Sequence, residues 1–365
     1  MPENPFSAER PPASICVLRT SALGDVTHVV PLVRTLQAAW PETKITWIVG
    51  KLEQRLVGDV AGVEFIVFDK ARGWRALTAL RRALAGRRFD VLLQLQVALR
   101  ANLAGSLVRA PMRIGYDAAR SRDLHGFFIN RRIAARSGEH VLDAIASFLE
   151  PLGLHQHEVR WDLPITDAAH AFAAQHLPGD ARTLLVSPCS SHRLRNWRVE
   201  RYAAVIDHAH AQGWRVALCG GPSAFERGFC DAILRQCARI PIDLVGKDTL
   251  KQFLALCARA HLVLTPDSGP MHMANAVGTA VLGLHAASNP QRSGPYSERR
   301  WCVDRYDAAA RKYLGRPASE IAWGTKIEHE GVMDLVETDA VIERLDTFAA
   351  SPGASGVSAE RTRFV

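Results

Sequence analysis

An acid, a hydroxyl, a glycine and a histidine fall within six positions in Asp267-Ser268-Gly269-Pro270-Met271-His272. The apolar run Leu262-Val263-Leu264 precedes them, a small-residue stretch of helical character follows, and a second apolar run begins after Gly278. This order reads as strand, tight loop, helix N-terminus, strand. A helix N-terminus presents unpaired N–H groups and a partial positive charge, which suit a phosphate. Polar side chains around it suit an anionic, polyhydroxylated ligand such as a nucleotide sugar. His272 alone would read as a satisfied core histidine; inside this loop it reads as a ligand contact.

Three further places carry polar chemistry next to strand ends. Ser190-Ser191-His192-Arg193-Leu194-Arg195-Asn196-Trp197 offers two hydroxyls and two guanidinium groups after a strand. That is either a phosphate clamp, with Arg195 the preferred contact, or a solvated loop whose Trp197 packs on the domain. Glu226 follows the turn Gly220-Gly221-Pro222 and reads as a ribose or adenine contact, or as a surface helix acid. Asp25 directly follows Gly24 at the expected start of the first helix. It is either an acid that satisfies free N–H groups there or a general base, with Gly24 letting backbone approach a ligand closely. A helix N-terminus makes a carboxylate a poorer base, which is tolerable if the proton moves late.

The elements that position these residues alternate. Strands are expected at 14–19, 44–49, 65–68, 91–95, 183–187, 215–219, near Leu244 and at Leu262. Helices are expected at 25–40, 74–84, 199–212, through Cys237, and at 250–260. Alternation of this kind predicts an α/β fold of parallel sheets covered on both faces. The rhythm occurs twice. The reading is therefore a flexible N-terminus at 1–13, a first domain at 14–170, a second at 171–350, and a Ser/Gly/Arg-rich disordered tail at 351–365. Two such domains facing across a cleft would bind ligands at strand C-terminal ends.

Composition excludes several classes. No window approaches the ~18 uninterrupted apolar residues of a membrane span. The polar, Pro-containing start lacks the apolar region of a signal peptide, so a cytoplasmic protein is expected. Seven cysteines with no CxxC pair argue against a disulfide framework or a zinc site; they read as small buried hydrophobes. No Walker, HExxH, DxD or GxSxG sequence occurs, and no metal ligand set is expected. The net charge is +8, and residues 70–136 hold fifteen Lys or Arg against three acids, Asp90, Asp117 and Asp123. That excess is either a solvated surface or a face for phosphorylated lipid, acidic sugar or nucleic acid. Nucleic acid is disfavoured by the few aromatics available for stacking.

Taken in order, Thr20-Ser21-Ala22-Leu23-Gly24-Asp25-Val26-Thr27-His28, the 190–197 segment, Gly221-Pro222 with Glu226, and the 267–272 loop resemble the bacterial ADP-heptose:lipopolysaccharide heptosyltransferases, glycosyltransferase family 9. The resemblance covers roughly residues 14–345. It implies a GT-B fold of two Rossmann-like domains, an ADP-heptose donor held mainly by the second, and an acceptor in the lipopolysaccharide inner core. It implies inverting transfer with no metal or other cofactor, and a cytoplasmic enzyme with peripheral contact to the inner membrane. By the same resemblance Asp25 is the general base. Ser190, Ser191, Arg195, Glu226, Asp267, Ser268, Gly269 and His272 contact the donor, and Ser21, Gly24 and Arg122 lie on the acceptor side. Two other readings remain open: a nucleotide-sugar epimerase of the same architecture, and a non-catalytic binder of anionic polymers. Only the transferase needs both a donor and an acceptor to release ADP.

Overall fold

A computed structural model describes residues 5–7, 9–155 and 158–351. The chain divides into two compact units between Pro164 and Ile165.

The first unit runs β1 (Ser14–Leu18), α1 (Leu23–Ala39), β2 (Lys44–Gly50), α2 (Lys51–Val57), β3 (Val63–Phe68), α3 (Trp74–Ala83), β4 (Val91–Gln94), α4 (Leu99–Ser106), β5 (Met112–Gly115), β6 (Arg131–Arg132) and α5 (Val141–Ala146). Its six strands are all parallel, in the order β3-β2-β1-β4-β5-β6. The second unit runs α6 (Asp167–His176), β7 (Thr183–Val186), α7 (Val199–Ala211), β8 (Arg215–Leu218), α8 (Ala224–Gln236), β9 (Ile242–Asp243), α9 (Leu250–Arg259), β10 (Leu262–Pro266), α10 (Gly269–Ala276), β11 (Ala280–His285), α11 (Pro290–Ser293), β12 (Val303–Asp304), α12 (Tyr306–Leu314) and α13 (Thr338–Ala349). Its sheet, read from β9, has the same arrangement: β9-β8-β7-β10-β11-β12, again all parallel.

Each unit thus has the doubly wound Rossmann order. In that order the strand sequence reverses between the first and fourth strands, and the loops leaving those two strands diverge to opposite faces, opening a crevice. Here the reversal falls between β1 and β4, and between β7 and β10. The strands are continuous apolar runs because helices cover both faces; Ile15, Cys16, Val17, Leu18, Leu262, Val263 and Leu264 are fully buried.

Helix boundaries follow local chemistry. In α1, Val26, Val29, Val30, Val33 and Leu36 form the buried stripe, and Pro41 disfavours helical backbone at Trp40, which leaves the helical region. In α9 a reciprocal box closes the N-terminus: Gln252 N–H donates to Thr249 Oγ1 and Thr249 N–H to Gln252 Oε1. The short strand expected near Leu244 lies slightly earlier, at Ile242–Asp243. Of the expected flexible N-terminus, residues 1–4 and 8 lie outside the described residues. The Ser7 and Pro12 carbonyls accept hydrogen bonds from Trp40 Nε1 and Thr43 Oγ1, which ties that stretch to the end of α1. From residue 352 onward the expected tail also lies outside the described residues. All seven cysteines are free thiols and six are buried, as their apolar settings predicted.

Candidate active site

At the β1/β4 reversal the chain leaves β1 through Arg19 to Ala22. The helix begins earlier than expected, at Leu23, so Gly24 lies inside α1 rather than in the loop and Asp25 is the third helical residue. The Asp25 carboxylate accepts from the Ala22 N–H at 3.0 Å, which satisfies one donor of the helix N-terminus. It also pairs with the Arg19 guanidinium at 2.5 Å and remains about one-third exposed. Arg19 is itself fixed by donating to the carbonyls of Ser21 and Leu95. The loop after β4 closes the other side. Gln96 Oε1 accepts from Thr20 N–H and Thr20 Oγ1, and its Nε2 donates to Ser21 Oγ at 3.1 Å. Gly50 at the end of β2 must be glycine for this loop to sit where it does: a Cβ there would lie 2.3 Å from the Thr20 carbonyl oxygen. Ser21 and Asp25 are therefore held by a preformed frame. Arg19 and Gln96 carry much of it, and sequence reasoning missed both because they lie outside any recognisable motif.

Arg122 lies on an exposed loop after β5, at the same C-terminal edge of the first sheet. A buried polar cluster anchors this loop. His125 Nε2 accepts from the Tyr116 N–H at 3.2 Å, so its Nδ1–H donates to Asn102 Oδ1 at 2.9 Å. Gln94 Nε2 donates to the same Asn102 oxygen, and Asn102 Nδ2 donates to the Asp123 carbonyl. His125 is fully buried. Burial, with Arg132 adding to it, pushes the His125 pKa down to about 4, so the ring is neutral. Gly115 makes room for it, since a Cβ there would meet His125 Nε2 at 2.4 Å.

The Arg-rich stretch 70–136 is not one surface. Arg113 points inward to the carbonyls of Val108, Gly105 and Phe128. Arg87 pairs with Glu64, Arg120 with Asp117 and Glu139, and Arg136 with Glu150.

In the second unit, β7 and β10 deliver two polar loops to their reversal point. Ser190 is buried; its N–H donates to Asn196 Oδ1 at 2.6 Å. Trp197 is buried and donates through Nε1 to the Val336 carbonyl, which fixes the end of the loop. Arg195 donates through Nε and Nη2 to one oxygen of Glu328, at 2.8 and 2.6 Å. His192 Nε2 lies 3.5 Å from the other oxygen.

After β10, Ser268 precedes α10 with extended backbone, and its hydroxyl shares a hydrogen bond with Thr265 Oγ1. Gly269 and Pro270 open the helix, and His272 follows in its first turn. Asp267 is buried and accepts from Lys326 Nζ at 2.8 Å. Burial alone would raise its carboxyl, but Lys326 and the imidazoles of His285 and His272 hold it well below the usual carboxylate range. Lys326 and Glu328 flank Ile327, which is fully buried and donates its N–H to the Ala287 carbonyl. One short segment therefore supplies a partner to both loops. Its position far along the chain gave no sequence signal.

Glu226 has a local role. It accepts from the Gly221 N–H at 2.6 Å and from Ser223 Oγ, while its own N–H donates to Ser223 Oγ, which caps α8. Beyond β9, burial and to a lesser degree Glu226 push the Asp248 carboxyl up to about 7. Among the described residues no group of three or more His, Cys, Asp or Glu is placed to hold a metal ion. No helix among them is long and apolar enough to cross a membrane.

The lipopolysaccharide core heptosyltransferase OpsX of Haemophilus influenzae is 38% identical over 92% of this chain and 96% of its own length. Lipopolysaccharide heptosyltransferase 3 of Escherichia coli K12 is 26% identical over 75% of this chain and 83% of its own. Among solved structures, the family 9 glycosyltransferase of Veillonella parvula superposes with a TM-score of 0.75 at 23% identity, covering 92% of this chain and 97% of that one. The E. coli heptosyltransferase WaaC with ADP gives 0.70 at 20% identity, covering 92% and 100%. At these identities the structural likeness speaks to the fold, that of the GT-B heptosyltransferases. The family model described as glycosyltransferase family 9 (heptosyltransferase) matches residues 77–324, and the chain belongs to that family of glycosyltransferases.

Proposed function

We propose that this enzyme transfers heptose from ADP-heptose to a sugar of the lipopolysaccharide inner core, with inversion and without a metal. The observation that carries the reading is the donor-side edge of the second sheet. Arg195 keeps Nη1 beyond its pairing with Glu328, and α10 opens after Ser268 with an N-terminus that no side chain caps. Such an edge suits a diphosphate without a bridging cation. OpsX and heptosyltransferase 3, both lipopolysaccharide heptosyltransferases, support the choice of sugar and acceptor, and E. coli WaaC has been solved with ADP and with ADP-2-deoxy-2-fluoro heptose.

The mechanism is a single displacement. Asp25 accepts the proton of an acceptor hydroxyl as that oxygen attacks the anomeric carbon. ADP departs from the opposite face, and Arg195 and the α10 N-terminus receive its charge. Inversion needs one base and no covalent intermediate on the enzyme. Ser190, Ser191, Asp267, Gly269 and His272 complete the donor contacts, with Glu226 at the ribose end. Ser21, Gly24 and Arg122 face the acceptor. The enzyme works on the cytoplasmic side, in peripheral contact with the membrane that bears its acceptor.

The test is mass spectrometry of core oligosaccharides truncated at successive sugars, incubated with ADP-heptose, with and without chelator. One acceptor should gain a single heptose with release of ADP, unaffected by chelation. Loss of activity on chelation would end the metal-free part of the proposal. ADP release or donor rearrangement without any acceptor would end the transferase assignment.

A further inference from the structure

Eight large hydrophobic side chains are exposed among the described residues, and four of them lie just beyond the C-terminal edge of β3, β4 and β5: Trp74 and Leu99 open α3 and α4, and Leu124 and Phe127 sit in the connection after β5. Trp74 and Phe127 are 77% and 86% exposed. Exposed apolar side chains scattered singly need no explanation, but a cluster does.

The pieces adjoin one another. Arg100 Nη1 approaches the Lys70 carbonyl in the turn that leads to Trp74. The neighbouring Leu99 N–H donates to Asp123 Oδ2 at 3.0 Å, which joins α4 to the loop of Leu124 and Phe127. A shallow depression lined by Ala71, Arg72, Trp74 and Arg75 lies at one side. At the other, the Arg132 guanidinium packs against Gly126, where a Cβ would lie 2.6 Å from Nη2. The two acids of the patch are engaged. Asp69 accepts from the Ala71 N–H and pairs with Lys51, and Asp123 caps α4.

We propose that this edge is a docking surface for an anionic lipid bilayer, in which Trp74 and Phe127 enter the headgroup boundary and Arg72, Arg75, Arg100 and Arg132 meet lipid phosphates. Charge complementarity selects the occupant. Guanidinium groups with long apolar stems, interleaved with an indole and a phenyl ring, match a phosphate layer over an apolar one. The same edge of the sheet bears Asp25. The two are connected through the Lys70–Glu53 pair at 3.8 Å and through Gly50, which packs on the Thr20 carbonyl. Docking here would present membrane-borne acceptor sugars to the edge that carries the base. The inference deepens the acceptor assignment made above and rests on it for its purpose, while lipid binding itself does not depend on that assignment.

The experiment is co-sedimentation of the full chain with vesicles of phosphatidylcholine alone, or with phosphatidylglycerol added at roughly one part in four, with neither donor nor acceptor present. Binding should require the anionic lipid. It should fall as salt rises from about 0.1 M to about 0.5 M, which shortens the screening length to less than about half. The double variants Trp74→Ala/Phe127→Ala and Arg72→Ser/Arg75→Ser should each lose about tenfold in partitioning, with urea midpoints unchanged because these side chains are exposed. Transfer to a soluble, delipidated oligosaccharide should be unaffected in the aromatic variant. Equal binding to both vesicle types, or parental binding by both variants, would overturn the proposal. Heptose transfer without vesicle binding rejects the surface alone; vesicle binding without transfer to any acceptor rejects the catalytic assignment alone.

Discussion

Lys326 and Glu328 flank one buried isoleucine and pair with different loops, Lys326 with Asp267 at 2.8 Å and Glu328 with Arg195 at 2.6 Å. The β10 loop and the β7 loop are thus held by a single short segment from near the end of the second unit. Both pairs are partly screened from water, so their disruption should be measurable.

Arg195 uses Nε and Nη2 on Glu328, which leaves Nη1 available for a phosphate. Arg195→Ala should weaken ADP binding by about 1.5–3 kcal/mol, the usual worth of a charged hydrogen bond. Glu328→Gln should cost less, because it loosens the guanidinium without removing it. The double variant should bind like Arg195→Ala alone, since the two act as a unit. Calorimetric titration measures all three, and unchanged affinity in Arg195→Ala would remove its role.

Asp25→Asn should abolish transfer. The amide cannot take a proton, yet it keeps the acceptor oxygen that binds the Ala22 N–H. ADP binding, a property assigned to the second unit, should be nearly unchanged. Parental turnover in a coupled ADP-release assay would defeat the assignment.

The Asp267–Lys326 pair should shape acid stability. The folded-state carboxyl is held below its unfolded value, so its contribution is present above about pH 4 and is lost as pH falls through the lower folded value. Lys326→Met leaves that buried carboxylate uncompensated and should destabilise by about 1–3 kcal/mol at neutral pH. Urea midpoints measured at neutral and acidic pH should show the deficit shrinking toward acid. A constant deficit would contradict the pairing.

His125 acts over a different window. Its folded pKa of about 4 lies below the ordinary 6.5. Between those values the unfolded chain binds more protons, so stability rises with pH there and falls toward acid by roughly 3 kcal/mol in all. His125→Gln should flatten that slope, and an unchanged pH dependence of urea unfolding would refute it. The same variant frees the loop of Arg122, so KM for the acceptor should rise more than kcat falls.

Much of this was legible in the chain. Continuous apolar runs marked β1, β2, β4, β7, β8 and β10, because strands buried on both faces need no polar positions. Apolar spacing marked α1, α3, α7 and α9. Each singled-out motif also fell where expected, next to a strand C-terminus. Strands β6 and β12 escaped notice because they are two residues long, and β5 because Arg113 breaks its apolar run. In none of the three is there an apolar run long enough to read, and the neighbouring strand sets their conformation.

The α/β class, the two-fold repetition of the Rossmann rhythm and the identity of the polar loops can be read from the chain alone, since they depend on local periodicity and on neighbouring residues. Which charges compensate those loops emerges only once the chain is folded. Arg195 meets a carboxylate 133 residues away, and Asp267 meets an ammonium 59 residues away. Folding likewise decides which arginines of the 70–136 stretch turn inward and which remain on the surface. Burial and ion pairing depend on where the fold brings distant segments together, and no local pattern encodes that.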